Sequence, residues 1–543
     1  MNVAQWIAAL MPVLSVAILL VVLRMPASRA MPLSLVITIA LAMTAWGVPA
    51  LQISASVVEG LIIAASVVLI VLGALTFLGV MRASGSLSLI RLDVLRVTPD
   101  SRIQMLFVGW LLVCFIEGAA GFGTPATVAA PLLIALGFPA MAAVSLALMA
   151  DVSAVTFGAV GTPIIVGLTQ GTGRDWSNPA DAQAMTDVAL TAAAIDILAG
   201  MTLPLLMMWF LTHVFAAEKG RKPFVEMIPL TILAALAFSV PAFLWTWTLG
   251  VEFGGILGGA TGMVILYLAV RVGFLVPKAP WSVTDGYIDP QELERMVSTT
   301  MAEAEAAHLS TWRVWAPYGL LTVLLLLTRI VAPVKDALNG WTLGLADTFG
   351  TGINVGFEPL YSPGIVFLIV AAVTVWLHHL PMDKVRAAGR VTGAAVLSSG
   401  LVLMAAVPIV RVFLNSGVNS TGLQSMPLEL ASAAASGVGA NWPLAAPLVG
   451  ALGSFVSGSA TFSHLMFGEL QQSVAQSVGV SEQIVLAQQV GGANAGNVVC
   501  VMNVVTVAAV GGLLGKEGAV IRITAIPMLV YVVIFAGIGM LLA

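Results

Sequence analysis

CFIEGAAGFGTPATVAAPLL, residues 114–133, decides how this chain folds. Two apolar arms flank Gly121, Phe122, Gly123, Thr124 and Pro125, a run that breaks a helix more strongly than close helix packing requires. Irregular backbone at membrane depth persists only where protein or a water-filled cavity satisfies its polar groups. The run therefore reads as a re-entrant hairpin with its tip at residues 121–124. A second helix is predicted to start there, with Thr124 as N-cap and Pro125 at the first helical position, leaving free N–H groups for an anion. The alternative is a helix pair brought close by its small residues.

Residues 150–168, ADVSAVTFGAVGTPIIVGL, place Asp151, Ser153, Thr156, Gly158, Gly161, Thr162 and Pro163 inside another apolar segment, which reads as a discontinuous helix. The same order recurs near the other end of the chain. A turn-rich tip lies in LGSFVSGSATFSHLMFGEL, residues 452–470, followed by an interrupted segment in QQVGGANAGNVVCVMNVVTV, residues 488–507. Gly458, Ser459, Thr461, Ser463 and His464 occupy that tip, while Gly491, Gly492, Asn494, Gly496, Asn497 and Asn503 are predicted to break the helix. Paired interrupted segments are the strongest sequence pointer to a midplane binding site.

Composition places these modules in a bilayer. Hydrophobic residues make up 59% of the 543 residues and charged residues 9%, against about 25% charge in a soluble domain. The net charge of −4 implies no nucleic-acid partner. Cys114 and Cys500 sit in apolar segments, and the five histidines are scattered, so no disulfide framework, metal site or cofactor is expected. A first apolar span with cations only after it, Arg24 and Arg29, reads as a membrane helix with its N-terminus outside, and not as a cleaved signal peptide.

Clusters of Lys and Arg alternate with acidic or uncharged connections, which by the positive-inside rule gives ten ordinary spans near 4–23, 32–50, 60–81, 188–212, 227–247, 253–271, 314–331, 361–379, 391–412 and 519–543. One net crossing per module makes twelve, with both termini outside. The fold class is an all-α polytopic membrane protein, an inverted-repeat transporter with two re-entrant hairpins and two discontinuous helices. Its parts are N-terminal helices 1–102, a first module 103–170, central helices 171–440 with a cytoplasmic loop 278–313, a second module 441–515, and a C-terminal helix 516–543. Within that loop, DPQELERMVSTTMAEAEAAHL reads as a capped cytoplasmic helix.

The candidate substrate-binding residues are Gly123, Thr124, Thr127, Ser459, Thr461, Asn494 and Asn497, neutral groups able to surround a carboxylate or hydroxyl without fixing a charge in the membrane. Glu117 and Asp151 precede helix breaks by a few residues and are the leading proton carriers. A carboxyl group shielded from water resists ionisation, so protonation and anion binding favour each other. His464 is the third coupling candidate. Asp196, in an apolar helix, has no partner visible in sequence, and Arg411, at a helix end, either attracts an anion or snorkels to the outer interface.

At CFIEGAAGFGTPATVAAPLL and ADVSAVTFGAVGTPI, and again at SGSATFSHLMFGELQ and GGANAGNVVCVMN, the chain closely resembles the bacterial L-lactate permease family, which includes glycolate permeases. The resemblance covers nearly the whole chain. It implies a multi-pass inner-membrane transporter, not an enzyme, that takes up L-lactate, with D-lactate or glycolate as related substrates, by proton symport. It also implies inverted repeats with two hairpins and two broken helices. The expected partners are a small monocarboxylate, protons and the lipid bilayer, and a homo-oligomeric assembly is open. The alternative is a sodium-coupled carrier of another small carboxylate, such as a di- or tricarboxylate, with sodium on unwound carbonyls near Gly158–Gly161 and Gly492–Gly496.

Overall fold

The computed structural model describes residues 1–543 except 122, 289–290, 292–294, 296–297, 299–300 and 302–308. In hydrocarbon every backbone N–H and C=O must be satisfied inside its own segment, so apolar runs become helices. The first half contains α1 (Val3–Val16), α2 (Ala27–Thr44), α3 (Ala50–Ala83), α4 (Ser86–Val97), α5 (Leu112–Ala120, entered through a π-helical stretch, Met105–Leu111), α6 (Thr124–Ala135) and α7 (Ala140–Ala150). Then come α8 (Pro179–Ala199), α9 (Thr202–Phe210), α10 (Arg221–Leu249) and α11 (Val251–Arg271). The second half contains α12 (Thr311–Ile330), α13 (Ala332–Asn339), α14 (Pro363–Leu377), α15 (Met382–Leu414), α16 (Met426–Val438), α17 (Trp442–Ser457), α18 (Ala460–Val478), α19 (Glu482–Gly496), α20 (Val501–Val510) and α21 (Glu517–Leu542). Two short hairpins, β1 (Trp281–Ser282) with β2 (Gly286–Tyr287) and β3 (Leu343–Leu345) with β4 (Val355–Phe357), sit in the connections.

Among the described residues, ten helical stretches are long and apolar enough to cross a membrane, and two bent pairs pass the same test jointly. The chain is a multi-pass membrane protein of the all-α class, its only described strands lying in two short connecting hairpins. The span expected at 60–81 is longer than the apolar run alone, because α3 starts at Ala50 after Pro49. Its extra polar residues are tolerated, since the Ser54 and Ser56 hydroxyls donate to the Ala50 and Gln52 carbonyls at 2.9 and 2.8 Å. At 34 residues it is about 50 Å long, well beyond a hydrocarbon core of about 30 Å. The cytoplasmic helix expected after Asp289 and Pro290 lies largely outside the described residues.

Helices α2, α3, α14 and α15 pack along one another, while α17, α18 and α19 form a tight cluster bordered by α8 and α21. Glycines set the closest approaches. The Gly118 Cα on α5 lies against Gly255 on α11, and a Cβ at Gly255 would come within 2.7 Å of it. Gly492 lies against the Pro447 backbone of α17 and Gly491 against the Phe535 ring of α21. The break expected at Gly491, Gly492 and Asn494 is therefore absent, and α19 is continuous to Gly496. Close packing of this kind holds the helix together despite glycine's poor propensity.

The connections are anchored too. The fully buried Arg102 guanidinium pairs with Asp100 at 2.6 Å and donates to the Ala279 carbonyl at 3.1 Å, fastening the loop that carries β1 and β2. Tyr287 on β2 donates to Glu226 at 2.9 Å. Burial and that carboxylate push its phenol up to about 12.

Candidate functional site

Both tips turn on glycine. Gly121 and Gly123 have φ +60° and +70°, and α6 starts directly after them. Gly123, not Thr124, occupies the cap position, so the expected threonine cap gives way to a left-handed glycine turn in which the Thr124 N–H donates to the Gly121 carbonyl at 3.1 Å. The Thr124 hydroxyl is buried with no protein partner, while that of Thr127 donates to the Thr124 carbonyl of its own helix at 2.6 Å. At the second tip Gly458, φ +76°, ends α17, and Ser459 is the extended residue from which α18 starts.

The two breaks differ in severity. In the first, α7 ends at Asp151, and the chain passes through a short 3-10 turn, Val155–Phe157. Three successive left-handed residues follow, Ala159 (φ +45°), Val160 (φ +59°) and Gly161 (φ +76°), before the π-helical segment Pro163–Leu168. A β-branched residue at positive φ is a genuine outlier, and such strain persists only where the surroundings impose it. The two arms meet at 63°. The second break is confined to residues 497–500, between α19 and α20, and the Asn503 amide closes it by donating to the Asn497 carbonyl at 3.2 Å.

Tips and breaks enclose one polar cavity. Glu117 and Gly121 of the first tip, Gly158, Ala159 and Thr162 of the first break, Gly458, Ser459 and Thr461 of the second tip and Asn497 of the second break all line it. Its cavity volume is about 20 Å³, room for about one ordered water and far below the ~300–1,000 Å³ of sites for larger ligands. The carboxyl groups of Glu117 and Asp151 are near neighbours, and a hydrogen bond between two such groups requires one to carry the proton that the other accepts. Gly158 makes room for this pair, since a Cβ there would collide with Glu117 Oε1. Glu117 Oε2, Asp151 Oδ1 and Asn497 Oδ1 are buried without a protein partner. Buried polar atoms are nearly always paired, so a cluster of unpaired ones marks a place that meets something brought in.

The structure brings some of the sequence-selected residues together and not others. Glu117, Ser459, Thr461 and Asn497 line the cavity, and Asp151 reaches it through Glu117. Gly123 instead lines a larger outer hollow, shared with Ser459. Asn494 stands behind the cavity and donates to Thr156 Oγ1 at 2.7 Å. Fully buried His464 has Nδ1 3.5 Å from the Gln489 amide and Nε2 with no protein partner. Asp196, without a role in sequence, accepts a 2.7 Å hydrogen bond from the Tyr531 hydroxyl. Gly121, Gly158 and Thr162 are lining residues that sequence reasoning did not single out for binding, although the positive-φ demand at Gly121 is the kind of signal a Gly-x-Gly turn carries.

Known proteins resemble the chain along most of its length. A family model described as L-lactate permease matches residues 5–543. The "Putative L-lactate permease" of Haemophilus influenzae is 28% identical over 89% of this chain and 88% of its own length. The "L-lactate permease" of Bacillus subtilis is 29% identical over 81% and 78%, and the "Glycolate permease GlcA" of Escherichia coli 28% identical over 99% and 95%. Among solved structures, the YdaH transporter of Alcanivorax borkumensis aligns over 87% of this chain and 84% of its own, with 16% identity and a TM-score of 0.28.

Proposed function

The chain belongs to the L-lactate permease family, and we propose that it carries L-lactate, and with it D-lactate or glycolate, into the cell by proton symport across the bacterial inner membrane. Relatives named for lactate and for glycolate support a small 2-hydroxy monocarboxylate as cargo. The modules 103–170 and 441–515 are the unit that binds it, running in opposite directions as an inverted pair. The observation that carries the reading is Glu117, with Asp151 beside it, on the wall of a small cavity lined by residues of both tips and both breaks.

The first turn of α18 opens on this cavity through Ser459 and Thr461, so its free N–H groups and hydroxyls receive the substrate carboxylate. Asn497 takes the 2-hydroxyl, because an amide both donates and accepts. Gly123, Thr124, Thr127 and Asn494 shape the tip and the back wall. A carboxylate entering beside an ionised acid pair brings like charges together, so substrate binding favours the protonated pair and the proton travels with the anion. His464, with its free Nε2, is the next group a proton can use.

Counterflow of labelled lactate in proteoliposomes tests cargo. Uptake with an inward proton gradient, with and without sodium, tests coupling. The sodium-coupled alternative draws on the unwound backbone at Gly158–Gly161, and uptake that needs sodium at every pH would favour it. From Gly492–Gly496 it draws only the carbonyls of the last turn of α19, since the helix runs unbroken to Gly496.

A further inference from the structure

The cavity is not the only polar hollow that touches the tips. A second, larger one, with a cavity volume of about 360 Å³, is lined by Ser66 of α3, Glu358 of the connection after β4, Arg411 of α15 and Phe462 of α18, and reaches Gly123 and Ser459. Gly458 and Ser459 line both hollows, so a single wall of backbone separates them. The connection holding residues 335–358 is read from its charges as external, which makes this hollow the outer vestibule.

Arg411 is under-used as a structural cation. Its side chain is 12% exposed, and its ion pair is a single 3.5 Å contact from Nη1 to Glu59 Oε1, longer than the ~2.7–2.9 Å of a charge-assisted hydrogen bond. A guanidinium offers five N–H donors in a planar fork. Phe462 holds the plane from below, with the ring centroid 4.9 Å from the guanidinium carbon. Glu59 has a firmer partner in Asn415, whose amide donates to it at 2.6 Å. Releasing Arg411 therefore does not strand Glu59. A cation buried to this degree with so slack a partner is costly and calls for a function.

We infer that Arg411 forms an outer subsite for the carboxylate of a small monocarboxylate anion, exchanging its loose contact with Glu59 for a two-pronged one with the substrate before the anion passes the Gly458–Ser459 wall. The inference rests on the transport reading above and adds a specificity-determining residue to it. Arg411 reads the charge of the cargo, and Glu59 is the internal carboxylate that the cargo displaces. Phe462 sets the plane of the fork and Asn415 keeps Glu59 in place when it lets go.

The test is lactate counterflow in proteoliposomes, with lactamide, the neutral amide of the substrate, as competitor. R411Q raises the apparent Km about tenfold or more, the loss expected for a hydrogen bond to a charged group, and lactamide then competes as well as unlabelled lactate. R411K keeps the preference for the acid with a smaller rise in Km, because it retains the charge and loses the fork. E59Q lowers Km, since the guanidinium no longer divides itself between two carboxylates, and E59Q/R411Q behaves like R411Q. If instead E59Q and R411Q impair exchange alike and the double variant restores it, the pair is only a brace between α3 and α15, and the inference is overturned. An R411Q Km and acid preference equal to wild type overturn it as well. Wild-type vesicles that exchange no monocarboxylate overturn the transport reading itself, and this inference with it.

Discussion

The two modules follow one plan and are built of different chemistry. In the first, the tip and break carry two carboxyl groups, Glu117 and Asp151, in contact with each other, and a backbone with Ala159 and Val160 held left-handed. In the second, the tip and break are neutral, with Ser459, Thr461 and Asn497 on the cavity, and the break relaxes into a short turn closed by Asn503. A charged, strained half and a neutral, relaxed half around one cavity suit a division of labour. In the proposed mechanism the first module changes protonation state while the second recognises a cargo that must also be released.

That contrast can be broken most sharply at the acids. E117Q and D151N abolish accumulation of lactate against its gradient while leaving exchange within about an order of magnitude of wild type, as expected when coupling and binding are separable; equal accumulation in both variants would merge the two modules into one role. Next in size is Gly158→Ala. Gly158 has φ −56° and ψ 144°, which any residue adopts, so the substitution tests space alone. The methyl group pushes Glu117 from Asp151, and proton-driven uptake slows about tenfold, the scale of a small misplacement at a working site. The variant is read by initial rates in a pH gradient.

In the neutral module the effects are smaller and fall on affinity. Ser459→Ala and Asn497→Ala each raise apparent Km about two- to tenfold, the worth of one net hydrogen bond, with the pH dependence of uptake unchanged; a shifted pH profile would erase the division. The smallest effect is expected at Thr127→Ala, within about twofold, because that hydroxyl is already bonded to the Thr124 carbonyl of its own helix.

Much of the fold was readable because bilayer physics writes it plainly. Runs of apolar residues must be helices, and the tip CFIEGAAGFGTPATVAAPLL announces its turn through Gly121 and Gly123. What escaped the sequence depends on what lies across the turn. Gly491 and Gly492 look like helix breakers until Phe535 and Pro447 are seen to fill the space their missing side chains leave. Thr124 looks like a cap in sequence, but Gly123 beside it makes the left-handed turn that replaces one. Asp196 finds Tyr531 from 335 residues away, and Arg411 finds Glu59 on a helix remote in sequence but packed against its own. No local pattern carries such partners. The pairing of Glu117 with Asp151 was within reach, since both acids flank helix breaks, but their contact needs Gly158 to stay bare.

The central claim is that a lactate anion enters with a proton handled by the acid pair of the first module. The most direct measurement follows lumenal pH with a trapped indicator while lactate is added to sodium-free proteoliposomes. Wild-type protein is expected to acidify the lumen in step with lactate influx, and E117Q and D151N to admit lactate down its gradient with no acidification beyond that of protein-free vesicles. Equal acidification in the variants, or wild-type influx that begins only when sodium is supplied, would contradict the account.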